Sequence, residues 1–288
     1  MKVDEIATSI RLLEDPDHEV YSIISARLIE QGPAIIPALE RAFEASSNSL
    51  QQERIKNIFQ YLQSKVATQG LENWLQQPYH NLLEGAYWLA KHSYPNLRLE
   101  DLQAVADDIV KDMMVNLQDS MPPEEKIKTL DFFFFRHHYF RLSDKEILQP
   151  QHNYINNVID LHTGNLVSLT FLYLHIGQQA GLSLQAVCMP NSFIVAHTGD
   201  GGEVLFYLHI LQQGAKLFRK DIELYFRRSN ITSKEHYYLP KSNSTALLYL
   251  LEMQIYCYER EGNPAKAEQF RSLLPLFSAE KNSFDELD

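Results

Sequence analysis

The chain has 288 residues, 45% of them hydrophobic, and its 37 acidic and 26 basic side chains give a formal net charge of −11. This charge repels nucleic-acid phosphates and anionic membranes, and the basic pairs at 219–220 and 227–228 are too sparse to form a binding patch. No run reaches the roughly 18 apolar residues that a membrane-spanning helix needs. We therefore expect neither a nucleic-acid partner nor a membrane partner.

Cysteine usage bears on the compartment. Cys188 and Cys257 are the two cysteines, too few for a disulfide framework in a chain of this length. The first residues, MKVDEIATSI, carry acidic side chains where a signal peptide would be apolar. We expect a cytoplasmic protein.

The first 68 residues have the spacing of amphipathic helices. Ile6, Ile10 and Leu13 recur at three- and four-residue intervals, which is typical of helices with one buried face. The run EDPDHEVYSIISARLIEQGPAIIPALERAFE resembles one HEAT-like helix pair, broken at Gly32-Pro33. A solenoid needs several repeats to bury its faces, so residues 1–68 are predicted to form a helical cap.

Residues 69–150 predict a second helical segment. Leu82, Leu83, Ala86 and Leu89 form one apolar stripe, and Gly85 inside it predicts a close approach between helices. The aromatic run DFFFFRHHYF at 131–140 is predicted to be a buried helix or its junction, with the phenylalanines at 132–135 in the core.

Residues 151–240 change from helical to strand periodicity. Two helical runs close on Gly164 and Gly181, where glycine is expected after a helix end. Three short β-rich runs follow at 182–190, 191–199 and 203–211, and they predict three antiparallel strands. From residue 241 to the end, two helical runs around a Gly-Asn-Pro turn predict a helical hairpin and a polar tail.

A helix followed by three antiparallel strands resembles the core of papain-like and transglutaminase-like enzymes. The runs LLEGAYWLAKHSYPNLRLE and YINNVIDLHTGNLVSLTFLYLHIGQQAGLSLQAVCMPNSFIVAHTG resemble the SirB-type transglutaminase-like family. With a C-terminal hairpin of tetratricopeptide-like spacing, the resemblance covers about residues 69–277. It implies a mainly helical α+β fold, in which a helix packs on a small antiparallel sheet.

The resemblance also implies a Cys, His and Asp catalytic triad. Such a triad needs a thiolate at a helix N-terminus, a His base on a strand and a carboxylate that orients the imidazole. The matching positions hold Leu166, Val167 or Ser168 for the nucleophile, Ser192 for the base and Leu208 for the carboxylate. With all three roles vacant, the chain is predicted to be a pseudoenzyme.

Neighbouring residues offer poor substitutes. Ser168 and Cys188 are the alternative nucleophiles, but Ser168 has no evident base and Cys188 lies within a predicted strand, away from any helix N-terminus. His209 follows Leu208 by one residue and His197 follows Ser192 by five, so strand alternation turns each to the other face. We also predict that Leu208→Asp destabilises the fold and that Ser192→His recovers part of the loss.

Metal and cofactor sites are not expected. His137 and His138 are adjacent, and neighbours on an α-helix point about 100° apart, so we expect no shared ion. Cys257 lies in a helical run and is predicted to pack in the core.

The predicted function is non-catalytic protein binding or regulation. The binding surface is either the groove that corresponds to the active site of the catalytic family members or the C-terminal hairpin. Tyr249, Tyr256 and Tyr258 on the hairpin are candidate contact residues. The partner is a protein of unspecified identity, and a second copy of the chain stays open. Two alternatives remain: a hydrolase or acyltransferase with a relocated nucleophile, and a small-molecule binder in the remnant cleft.

Overall fold

The structure is a computed structural model that describes residues 3–118, 120–143, 149–190 and 192–278. The chain divides into two compact units, one made of Met1–Leu71 with Lys91–Pro95 and the other of Glu72–Ala90 with Asn96–Asp288. The predicted division at 1–68, 69–150, 151–240 and 241–288 follows the element pattern and stays a prediction. In the described residues, no helix is both long and apolar enough to cross a bilayer.

The first unit is helical. Its helices are α1 (Val3–Arg11), α2 (His18–Glu30), α3 (Ile36–Ala45) and most of α4 (Ser49–Leu75). The Asp17 carboxylate accepts the Glu19 amide and caps α2, and Gly32, at φ +69°, breaks the chain before α3. Leu13, Leu28 and other apolar side chains bury completely between these helices, as amphipathic stripes require.

The second unit contains the remaining helices and both sheets. Its helices are α5 (Leu82–Lys91, whose last residue belongs to the first unit), α6 (Leu99–Met114), α7 (Pro123–Asp131), α8 (Ile155–Leu161), α9 (Leu166–Gln179), α10 (Arg219–Arg228), α11 (Asn243–Glu261) and α12 (Pro264–Arg271). Every residue from Val167 to Gly177 is buried. A helix that is buried all round is a central core element, so α9 is the axis of this unit.

The strands form two sheets. They are β1 (Arg141–Leu142), β2 (Thr163–Gly164), β3 (Leu184–Met189), β4 (Ser192–Thr198), β5 (Val204–His209) and β6 (Ala215–Leu217). The first two pair in parallel, and the last four form an antiparallel sheet in sequence order. The three predicted antiparallel strands are confirmed, while β1, β2 and β6 were not predicted.

The antiparallel sheet packs on α9. The ring of Phe193 in β4 lies 6.1 Å from that of Phe171 in α9. Gly177 lies so close to β3 that an added Cβ would stand 2.5 Å from the Leu184 Cδ1. This helix-on-sheet core confirms the predicted α+β class.

The C-terminal helical hairpin is also confirmed. Gly262, at φ +78°, ends α11, and the Asn263 side chain accepts the Lys266 amide to cap α12. The rings of Tyr258 and Phe270 stack across the two helices at 5.7 Å.

The predicted close approach at Gly85 is confirmed. A Cβ added there would lie 2.8 Å from Trp74 and 2.9 Å from Leu247 of α11. Glycine lets three helices meet at this point.

The aromatic run is a π-helix, Phe132–His137, continuing α7. Phe133, Phe134 and Phe135 are buried as predicted. Phe132 is 54% exposed, which corrects its assignment to the core.

Candidate functional site

The start of α9 is where the resemblance places a nucleophile. Asn165 caps the helix, accepting the Ser168 amide at 2.8 Å, while the Ser168 hydroxyl accepts the Asn165 amide at 3.1 Å. The same hydroxyl donates to the His152 carbonyl at 2.6 Å. Ser168 is 1% exposed, so its hydroxyl serves as part of a closed capping network.

The other two candidates at this helix start are aliphatic. Val167 is buried and Leu166 is half-buried. Neither can act as a nucleophile.

The network continues into the segment before α8. The Asn165 amide group donates to the Asn153 side-chain oxygen, and both residues are buried. Burial lowers the pKa of His152, which favours its neutral form.

The strand register separates the other two positions of the implied triad. Leu208 is paired with Val195, and Ser192 is paired with Met189. Ser192 and Val195, the partner of Leu208, are therefore three positions apart on β4, roughly 10 Å along the strand. Paired residues share a face and neighbours alternate, so Leu208 is on the face of Val195 and Phe193, and Ser192 is on the other.

This geometry corrects the expectation that Ser192→His would support Leu208→Asp. Phe193 contacts α9, so the α9 side of the sheet carries Leu208 but not Ser192. Leu208 is 1% exposed. A histidine at 192 would face away from a carboxylate at 208.

The neighbouring histidines are held by local contacts. His197 donates from Nδ1 to the Ser183 carbonyl at 3.2 Å, and its ring lies 4.9 Å from that of Phe206. Burial lowers the pKa of His209 and of His175. His197 is thus held against Ser183 and Phe206.

Both cysteines are free and buried. Burial raises the pKa of Cys188, in β3, to about 12, and it raises the pKa of Cys257 as well. The reactive form of cysteine is the thiolate, and neither thiol is ionised near neutral pH.

The tyrosines proposed as contact residues differ in exposure. Tyr256 is 44% exposed, whereas Tyr258 is 8% exposed and its hydroxyl lies 2.6 Å from that of Tyr154. Tyr249 packs 5.5 Å from the Phe193 ring, and burial raises its pKa to about 12. Tyr258 is therefore a core residue, which corrects its assignment to a contact surface.

A buried acid was missed by the sequence analysis. The Tyr173 hydroxyl donates to Asp131 at 2.8 Å, and burial raises the pKa of Asp131 to about 7. A Cβ at Gly214 would collide with this carboxylate. Nothing in the sequence links Asp131 to Tyr173, which lies 42 residues further along.

His137, the last residue of the π-helix, and His138, the residue after it, are also closer to a common point than expected. Asp112 Oδ2 lies 4.0 Å from His137 Nε2 and 3.6 Å from His138 Nε2. The expectation that the two rings diverge is wrong, because it assumed that both residues lie in one regular helix, whereas His138 follows the last residue of the π-helix.

Among the described residues of the second unit, surface grooves lie beside β5 and beside β3. The β5 groove, of about 460 Å³, is lined by residues 204–207, 218–220, 235, 238 and 239. The β3 groove, of about 710 Å³, is lined by residues 78–81, 178, 182–185, 198 and 240–243. Neither groove is lined by a position of the implied triad. These positions are Leu166, Val167, Ser168, Ser192 and Leu208.

Comparison with known proteins identifies relatives of this fold. The sequence profile of the transglutaminase-like superfamily matches residues 99–252, more than half of the chain. No solved structure gives a significant match.

Curated relatives share low sequence identity. The chain is 24% identical over 220 residues to F-box only protein 21 of Homo sapiens, covering 67% of this chain and 33% of that protein. The Mus musculus protein of the same name is 23% identical over the same length, covering 67% and 34%. A UPF0162 protein of Xylella fastidiosa (strain 9a5c) is 22% identical over 121 residues, covering 42% and 43%. The chain thus spans about a third of the F-box only relatives.

Proposed function

The chain belongs to the transglutaminase-like superfamily, and we propose that it is a non-catalytic, SirB-type member that binds a protein partner in the cytoplasm. The observation that carries this proposal is the state of the α9 start. Its one hydroxyl, that of Ser168, is buried and bonded to the Asn165 amide and the His152 carbonyl. A transglutaminase-type reaction needs an ionisable nucleophile in that place.

The remaining geometry supports the same proposal. Cys188 is fully buried within the sheet, with a pKa raised to about 12 by that burial. Ser192 and Leu208, the positions implied for the base and for its orienting carboxylate, lie on opposite faces of the sheet. Side chains at these two positions therefore cannot contact each other as a catalytic pair does.

The β5 groove is the surface we assign to the partner. The short strand β6 pairs with residues 207–209, and in the described part of the chain residues 204–206 have no strand on that side. An unpaired strand edge can bind an extended segment through its backbone groups. The groove beside it exposes Leu205, Phe218 and Leu239, each between 46% and 49%.

The chemistry of the groove defines the partner. Arg219 is paired with Glu235 and stacks on Tyr238 at 4.1 Å, so its charge is already satisfied. The exposed apolar side chains then favour an extended peptide segment with apolar residues at alternate positions.

The relatives give independent support for a protein-interaction role. The similarity to F-box only protein 21 covers two thirds of this chain. The chain spans about a third of that relative, so a role of this chain in protein binding is part of the proposal.

Partner capture with matched variants tests the binding surface. Leu205→Arg places a charge in the groove, and Leu161→Arg places one on another exposed leucine outside it. We expect a partner retained by the wild-type chain and Leu161→Arg but lost by Leu205→Arg. Identical partner sets for the two variants would overturn the groove assignment.

Activity probes test the absence of catalysis. Thiol-directed and serine-directed probes should leave the folded chain unlabelled, and amine plus glutamine donors should release no ammonia. Labelling of Ser168 or Cys188 in the folded state would support the alternative of a relocated nucleophile.

A further inference from the structure

Three metal-ligating side chains from two elements meet beside the last turn of α6. Asp112 lies in that helix, and His137 and His138 lie at the end of the π-helix. The three ligand atoms all fall within 4.8 Å of one another. None of these residues belongs to the sites already described for α9 or the β5 groove.

The backbone segment that carries the two histidines is held by hydrogen bonds within residues 133–140. The His138 amide donates to the Phe133 carbonyl at 2.9 Å, and the Phe140 amide donates to the Phe134 carbonyl at 3.0 Å. Tyr139 between them takes φ +56°. These bonds turn the backbone so that two consecutive imidazoles approach one carboxylate.

A further layer of contacts holds His138 in place. His162 donates from Nδ1 to the His138 carbonyl, and the His162 ring stacks on Phe140 at 4.7 Å, with 8° between the planes. Such outer contacts are what orient the ligands of metal sites.

The free nitrogen of His138 is the strongest pointer to a ligand. Its Nε2 is buried and makes no hydrogen bond in the described structure, although it lies 3.6 Å from Asp112 Oδ2.

We propose that Asp112, His137 and His138 bind one divalent transition-metal ion, with Zn²⁺ the best fit. Two imidazole nitrogens and one carboxylate oxygen are ligands that Zn²⁺ takes at roughly 2.0–2.2 Å, with water in an open position. Mg²⁺ and Ca²⁺ prefer oxygen ligands throughout, so they suit this set poorly. Asp112 and His137 are 53% and 52% exposed and can adjust.

The bound ion would connect α6 to the π-helix. A ligand that binds only the folded state stabilises that state by an amount that grows with the logarithm of the ratio of free ligand concentration to dissociation constant. Zn²⁺ should therefore raise the unfolding temperature of the full chain, and the rise should depend on these three residues.

The test uses the chelator-treated full chain and ZnCl₂ in isothermal titration calorimetry. His137→Gln and Asp112→Asn change exposed ligands and should each weaken Zn²⁺ binding by at least about tenfold. His18→Gln and Asp108→Asn remove an exposed histidine and an exposed carboxylate outside the cluster, and they should leave the affinity unchanged. Circular dichroism checks that every variant is folded.

Electron paramagnetic resonance with Cu²⁺ gives a readout of the ligand set. The wild-type chain should show coupling to two nitrogens, and His137→Gln should show coupling to one. Equal Zn²⁺ affinity in both ligand variants and the controls would mean scattered surface binding and would overturn the site. So would a Cu²⁺ spectrum that His137→Gln leaves unchanged.

Discussion

At the scale of single residues, Leu208 shows that a position of the implied triad is part of the core. It is 1% exposed and paired with Val195 and Lys216. Leu208→Asp buries a carboxylate without a partner and removes apolar packing, and we expect a loss of ~2–4 kcal/mol in the free energy of unfolding. Leu205→Asp on the same strand, at a position 48% exposed, should cost less than ~1 kcal/mol. Denaturant unfolding measures both.

Adding Ser192→His to Leu208→Asp should recover none of this loss. The two side chains lie on opposite faces of the sheet, and the register separates them by three residues along β4. A recovery of more than ~1 kcal/mol, measured in the same urea titration, would contradict the faces assigned here.

Asp131 makes stability depend on pH in the direction opposite to most carboxylates. Its pKa in the folded chain is raised to about 7 by burial, above the roughly 3.9 of an unfolded aspartate. The folded state therefore holds the proton more tightly, and stability should fall as the pH rises from about 4 to about 7, by up to about 4 kcal/mol.

Asp131→Asn should remove this slope. The amide oxygen can still accept the Tyr173 hydroxyl, and it carries no charge to desolvate, so the variant should be more stable than the wild type at pH 8. Asp108→Asn is the control, because Asp108 is 73% exposed. Urea unfolding at several pH values measures the slope; an equal slope in Asp131→Asn would assign the pH dependence to another group.

At the scale of elements, Gly85 determines how closely α5 approaches its neighbours. Gly85→Ala would bring a Cβ within 2.9 Å of the Leu247 side chain and within 2.8 Å of Trp74, and we expect it to cost ~1–3 kcal/mol. Leu247→Ala makes room on one side, so Gly85→Ala should cost less in that background. A double-mutant cycle by denaturant unfolding measures this coupling; additive losses would show that α11 does not limit the approach.

The elements differ in how well the local sequence predicts them. Strands β3, β4 and β5 were predictable because each is six or seven residues of β-rich sequence bounded by turn residues. Strand β6 has three residues, and β1 and β2 have two each, which is too short for any periodicity to appear. The π-helical geometry could not be predicted from the sequence, because an aromatic run of this kind is equally compatible with a buried α-helix.

At the scale of the whole molecule, the candidate sites depend on contacts between distant residues. Asp112 meets His137 from 25 residues away, and the Tyr173 hydroxyl reaches Asp131 across 42. Residue types alone predicted that Cys188 is inert, because a strand interior supplies no helix dipole. The opposite faces of Ser192 and Leu208 required the register of β4 with β5, which one sequence does not determine.

The C-terminal hairpin and the sheet should unfold as one cooperative unit. Phe193, which is paired with Cys188, has its ring 5.5 Å from that of Tyr249 in α11. Further along the same helix, the hydroxyl of Tyr258, next to Cys257, lies 2.6 Å from that of Tyr154. Opening the hairpin therefore exposes apolar surface on the body as well as on itself, and such shared burial couples elements into one unit.

The two buried thiols report on this coupling. Cys188→Ser leaves Cys257 as the thiol of α11, and Cys257→Ser leaves Cys188 as the thiol of β3. In labelling with an aromatic disulfide at pH 8, both should react only through opening of the fold. The two opening free energies should then fall with urea along the same slope, because the slope measures the surface exposed on opening. Labelling of Cys257 at urea concentrations that leave Cys188 protected would instead make the hairpin a separately unfolding element, and a partner could then act by displacing it.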